Sequence, residues 1–273
     1  MRVAVRAPSS APAWGRARLV LVLVAVAGLG AVLLAGLAVA VAGTVRGDST
    51  PADANATEAP PTAARATPGQ TRDTIAAAPM LPTTPADARP GRSADSAPAA
   101  ITIPGATATD PLGIPTGFAH TEPGALGQLA AIATTVFGQL SVDYATAVYR
   151  DWSQPGGVGP QRWRLTRDVT TFLDTAGDRA LLVARPAAAQ VKGSDGPDWL
   201  VACVLLELQT FPTTGAAATD TDARIAYGYC ERMAWQDDRW VIAAGPEPAE
   251  APHTWPGTER AGQAGWRTWV AGS

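Results

Sequence analysis

WLVACVLLELQTF, residues 199–211, is the stretch whose reading decides the fold. It is apolar on both faces over most of its length, as a strand buried from both sides in the middle of a sheet must be. A second strand-like stretch, RIAYGYCERMAW at residues 224–235, follows a polar, Thr-rich loop. The only two cysteines, Cys203 and Cys230, fall one in each stretch. If they face each other in an antiparallel pair, Val204 faces Tyr229, Leu206 faces Tyr227 and Leu208 faces Ile225. Those apolar and aromatic pairs then lie together on one face, and a slip of one residue would mix the faces. Opposed residues sit about 4.5–5.5 Å apart at Cα, within disulfide reach. A structural disulfide is therefore expected, with two buried thiols as the other reading. A redox or metal-binding pair needs a CxxC-like spacing or nearby histidines, and the sequence has neither.

Working outward, residues 179–192 read as a further strand, interrupted by Pro186, which suggests an edge or a bulge. Gln236-Asp237-Asp238-Arg239 reads as a tight hairpin turn into a last strand over residues 240–244. Upstream the period changes to that of a helix. Thr121 can cap a helix begun by Pro123, and Leu126, Leu129, Ile132, Val136, Leu140, Tyr144 and Val148 carry its apolar face as far as Trp152. A second helix is expected over residues 160–177, burying Trp163, Val169, Phe172 and Leu173. The tail, residues 255–270, reads as a short helix that returns Trp266 and Trp269 to the body. The expected architecture is α+β, with two helices packed on a curved antiparallel sheet of about four strands and a short C-terminal helix.

The N-terminal part has a different character. Residues 19–45 are an uncharged apolar run of 27 residues, longer than the roughly 20 needed to cross a bilayer core. Arg2, Arg6, Arg16 and Arg18 precede it, and only Arg46, soon offset by Asp48, follows. The positive-inside bias places residues 1–18 in the cytoplasm, 19–45 in the membrane and the remainder outside the cell. A cleaved signal peptide is the competing reading, and Ala40-Val41-Ala42 has suitable residue types. Its apolar region should span only about 7–15 residues, however. Residues 46–112 contain 11 prolines, much Ala and Thr, and no aromatic residue. Such chain buries too little apolar surface to offset its ordering entropy, so a disordered linker averaging about 50 Å is expected. The folded exported domain is then residues 113–273.

From residue 113 onward the chain has 12 basic and 17 acidic residues, a net charge of −5, and no basic stripe. Direct nucleic-acid binding is not expected of such a domain. Twenty of the 21 basic residues are arginine and Asn55 is the only asparagine, the coding bias of a high-GC genome such as an actinobacterium's. The sequon Asn55-Ala56-Thr57 carries little weight in that setting.

No catalytic or cofactor motif appears: there is no G-x-S-x-G elbow, H-E-x-x-H, Walker loop or dinucleotide fingerprint. No catalytic, metal-ligating or cofactor-binding residue is assigned. His120 and His253 read as surface or capping residues. The pairs Asp195/Asp198, Asp220/Asp222 and Asp237/Asp238 read as turn residues. The tryptophans mostly read as core. Trp255, Trp266 and Trp269 in the tail are the candidates for docking a partner, since a terminal aromatic segment can pack on a neighbour as easily as on its own domain.

Two segments resemble a family of uncharacterised actinobacterial membrane proteins associated with integrative and conjugative elements. One is residues 113–121, GIPTGFAHT; the other runs from Tyr227-Gly228-Tyr229-Cys230 through Arg239-Trp240 to Trp255-Pro256-Gly257-Thr258. The layout of short tail, membrane span, linker and α+β domain also resembles the TcpC-type and type IV secretion inner-membrane scaffold proteins. That resemblance implies a cone-like fold of the nuclear-transport-factor type. It also implies a non-enzymatic scaffold or accessory subunit of a conjugal DNA-transfer apparatus. Its partners would be the membrane and other proteins of the apparatus, or a second copy of itself. The expectation from a different class is a cell-wall-associated binding module for a lipid or glycan.

Overall fold

A computed structural model describes residues 68–176, 180–212 and 224–272. The expected cytoplasmic tail, the expected span at 19–45 and the first part of the expected linker lie outside the described residues. Among the described residues, no helix is long and apolar enough to cross a membrane.

The elements run α1 (Pro68–Ala77), β1 (Ala100–Ile103), β2 (Ala108–Thr109), β3 (Pro115–Thr116), α2 (Glu122–Gln139), α3 (Val142–Trp152), α4 (Arg164–Ala176) and β4 (Ala180–Ser194). Then follow β5 (Trp199–Pro212), β6 (Arg224–Gln236), β7 (Arg239–Ile242), α5 (Glu259–Gln263) and β8 (Arg267–Ala271). The fold is α+β, built on a curled, half-barrel sheet of six strands in the order β1-β8-β4-β5-β6-β7. Every pairing in it is antiparallel except β1 with β8.

The centre of the sheet follows the sequence pattern. Cys203 opposes Cys230, and Val204, Leu206 and Leu208 oppose Tyr229, Tyr227 and Ile225. Cys203 and Cys230 are joined by a disulfide across Cα atoms 4.0 Å apart. Alternation along the strands then divides the interior into two cores. Val204, Leu206 and Tyr229 join the helices on one face; Cys203, Leu205 and Cys230 join Trp199 and Trp266 on the other. Pro186 sits at the edge of a bulge in β4: it pairs with Leu206, and the register shifts before Ala188 pairs with Leu205. Asp237 and Asp238 both take left-handed backbone (φ 49° and 58°), which is what a two-residue primed hairpin turn requires.

The helical layer departs from the expectation at one point. The predicted single helix from 123 to 152 is two helices. Leu140 turns left-handed (φ 43°), and Ser141 caps a new helix by accepting the Tyr144 N–H at 3.2 Å. α2 is buried around most of its circumference, with Gly127 under the Phe118 ring and Leu126, Leu129 and Ile132 fully enclosed. A helix apolar on all sides belongs in the middle of a core.

Two larger corrections concern the ends of the domain. The predicted linker over 46–112 stops being linker at residue 68. α1 lies against β4 and β5, where Arg72 binds Asp195 at 2.6 Å, Asp73 binds the buried Arg232 at 2.7 Å and the Ala76 carbonyl accepts from Lys192 at 2.7 Å. β1 adds Ile101 and Ile103 to the main core. Proline-rich composition hid this because the segment gains its apolar surface and its backbone partners from distant strands. The tail is likewise not one helix. After the short α5 the chain extends as β8 and inserts between β1 and β4, which raises the sheet from about four strands to six. β8 meets β4 only at residues 188–189, so the outer edge of β4 over residues 180–186 has no strand partner among the described residues. Leu181, on that edge, is 60% exposed.

Candidate functional site

The polar residues that converge are not those the sequence singled out. On α4, Leu165 and Val169 point into the core, which puts Arg164 and Asp168, four residues apart, on the helix flank. On β6, Tyr227 lies in phase with Tyr229, packs edge-on to Phe137 at 5.2 Å, and donates its hydroxyl to the Asp168 carboxylate. The chain after β7 supplies Glu247, Glu250 and His253. Arg164, Arg167, Asp168, Tyr227, Glu250 and His253 line a cleft of about 310 Å³. Tyr227 and His253 also wall an apolar cleft of about 330 Å³, closed by Pro85, Ala88 and Leu208, with the 46% exposed Ile225 at its lip.

His253 is held in one tautomer. Its Nδ1 accepts the Gly228 N–H at 2.9 Å, so the ring hydrogen is on Nε2, which donates to Glu250 at 3.2 Å. The imidazole thus takes the place of a strand carbonyl on the outer edge of β6. Only glycine permits this approach, because a Cβ at position 228 would stand 2.5 Å from the Pro252 carbonyl oxygen. The His253 backbone N–H donates to Thr83 Oγ1 at 3.3 Å, tying the arm after α1 to the same place.

The charges of the cleft are unevenly matched. Arg167 grips Glu247 with both terminal nitrogens, at 3.2 and 3.0 Å. Arg164, with a side chain only 19% exposed, reaches Glu247 no closer than 4.0 Å and has no hydrogen bond among the described residues. Burial pushes the Asp168 carboxyl above its usual range, against the lowering effects of the Tyr227 hydroxyl and the two arginines. The Tyr227 phenol is pushed well up, first by burial and then by the neighbouring Asp168 charge.

A second polar group lies deeper and is closed. Glu231, 5% exposed, accepts from Tyr229 at 2.6 Å, Trp163 Nε1 at 3.0 Å and the Arg232 N–H at 3.1 Å. Burial raises its carboxyl, and those donors oppose the rise. Each carboxylate oxygen is occupied from within, so this group pins α4's start to β6.

The residues chosen from the sequence are dispersed. Trp266 is 3% exposed and donates Nε1 to the Pro252 carbonyl at 3.2 Å, so it is core and not a docking residue. Trp255 lies half-buried under the Arg224 guanidinium at 5.2 Å, while Trp269 packs against the core on the other face of the sheet. The three therefore form no common patch. His120 stacks on Trp235 at 4.3 Å and meets Asp198 at 2.8 Å, and Asp195 holds Arg72. Asp220 and Asp222 lie outside the described residues. Among the described residues, no group of three or more His, Cys, Asp or Glu is placed to hold a metal ion. Arg164, Arg167 and Asp168 gave no signal, because RxxRD on an amphipathic helix reads as an ordinary solvated flank.

No protein-family model matches the chain, and no curated protein is significantly similar to it.

Proposed function

We propose that the chain is a single-pass, N-in membrane protein whose exported domain is a non-enzymatic scaffold or accessory subunit of a conjugal DNA-transfer apparatus. The observation that carries a protein-binding role is the open outer edge of β4. Residues 180–186 pair with β5 on one side only; on the other side they have no strand partner among the described residues, and Leu181 there is 60% exposed. An unpaired edge with apolar side chains is a template for an added strand from a partner. The charge asymmetry around residues 19–45 supports the topology, and the Cys203–Cys230 disulfide suits an oxidising exterior. Helices α2 to α4 on one face of a curled sheet support the cone-like resemblance.

The test is site-specific photocrosslinking in cells, with the crosslinker placed at Leu181 in one full-length protein and at the exposed Arg150 in another. Mass spectrometry of the products should recover transfer ATPases, channel subunits or a second copy of the chain from Leu181 alone. No product specific to Leu181, or recovery of wall fragments and lipid only, refutes the reading.

A further inference from the structure

We infer that the paired clefts at Tyr227 and His253 form a binding site for a zwitterionic α-amino acid with an apolar side chain. The inference goes beyond the scaffold reading and stands or falls separately from it, since the β4 edge plays no part in it.

Arg164 is the first reason. Its guanidinium is largely removed from solvent, lines the polar cleft, and has no hydrogen bond among the described residues. Glu247 is already engaged bidentately by Arg167. A mostly buried guanidinium with open donors is costly, and a planar carboxylate matches its fork. Asp168 is the second reason. It accepts the Tyr227 hydroxyl on Oδ2, which leaves Oδ1 to accept another donor at the same cleft. Arg164 and Asp168 act on each other electrostatically but form no ion pair, so both remain available to a third group.

The mixture of signs selects the ligand. A simple anion at Arg164 would meet Asp168, Glu247 and Glu250, and a simple cation would meet Arg164 and Arg167. A molecule with a carboxylate and an ammonium on one carbon offers each side its complement: carboxylate to Arg164, ammonium to Asp168 and Glu250. The third substituent of that carbon is then directed past Tyr227 and His253 into the apolar cleft, whose walls are Pro85, Ala88, Leu208 and Ile225. Its volume of about 330 Å³ accepts an aliphatic or aromatic side chain.

The test is calorimetric titration of the full-length protein in detergent with leucine, phenylalanine and glycine, and with N-acetyl-leucine and leucinamide. Leucine or phenylalanine should bind, and glycine should bind more weakly for want of the apolar substituent. Each analogue lacking one charge should lose about tenfold or more, the effect of removing one charge-assisted hydrogen bond. Arg164→Gln and Asp168→Asn should lose a similar factor, with Arg150→Gln unchanged as a control. The analogue series on the unaltered protein keeps the test valid if either cleft variant misfolds. No binding of any amino acid, binding of the acetylated or the amidated analogue as tight as that of leucine, or binding of a glycan fragment or lipid vesicle in their place overturns the proposal.

Discussion

Reducing the Cys203–Cys230 disulfide should weaken the domain without changing its fold. The two cysteines are 27 positions apart, so the bond closes a loop of 26 residues in the unfolded chain. The chain-entropy relation gives about 3–4 kcal/mol for a loop of that length at 25 °C. At roughly 2–4 °C per kcal/mol for a domain of this size, the melting temperature should fall by about 6–16 °C. The pairing itself should survive, because the register is held by Val204–Tyr229, Leu206–Tyr227 and Leu208–Ile225 as well as by the sulfurs. Cys203 is fully buried, Cys230 is 4% exposed, and the Met80 sulfur lies 3.6 Å from Cys230 Sγ. Reductant should therefore act slowly on the folded protein and quickly in denaturant. The assay is guanidinium unfolding of oxidised and reduced protein, with free thiols counted by alkylation and mass spectrometry and secondary structure followed by circular dichroism. Two free thiols in protein isolated from the cell envelope, or unfolding free energies that agree to within about 1 kcal/mol, would refute the reasoning.

Three further outcomes follow from particular contacts. A chain starting at Gly113 lacks α1 and β1 and so exposes the cavity left by Ile101 and Ile103, at about 3–6 kcal/mol for the pair; it should fail to melt cooperatively, while a chain starting at Ala64 should melt as the full protein does, and equal melting temperatures would show that 68–112 is dispensable. Gly228→Ala drives a Cβ against the Pro252 backbone and should cost about 1–3 kcal/mol in urea unfolding, with loss of amide-exchange protection at residue 228. Glu231 and Asp168 have carboxyls raised above their usual range by burial, so the folded state holds protons that the unfolded state has released. Their contribution to stability is present below the ordinary carboxylate range and is lost as pH rises through the raised values; Glu231→Gln should flatten that part of the stability–pH curve, and an unchanged slope would show that Glu231 does not titrate differently on folding.

The legible parts of this fold are those written in short-range pattern. The doubly apolar 199–211 run announced a central strand, and period-two alternation on either side of Cys203 and Cys230 set the observed register. The Asp237-Asp238 turn and the Pro186 bulge were equally local. The break at Leu140 was local too but was overlooked, because Leu and Ser there keep an acceptable helical pattern; Leu140 turns left-handed and the Ser141 side chain caps the next helix. Of the candidate site, His253 was visible only as a residue of capping type. Its partnership with Gly228, 25 positions away, depends on where the post-β7 chain runs.

By itself the sequence determined an α+β domain with a cysteine pair opposed across β5 and β6, because side-chain alternation and cysteine placement act between residues that the antiparallel pairing brings into direct opposition. Only the tertiary structure decided that residues 68–112 belong to the domain and that the tail is a strand. The β1–β8 ladder joins Ala100 to Thr268 through backbone hydrogen bonds, which any residue but proline can make and which therefore leave no mark in composition. The same holds for the cleft, where Asp168 and Tyr227 meet across 59 positions. A charged residue on a helix flank looks the same in sequence whether it faces water or a cleft, and the curvature of the sheet decides which.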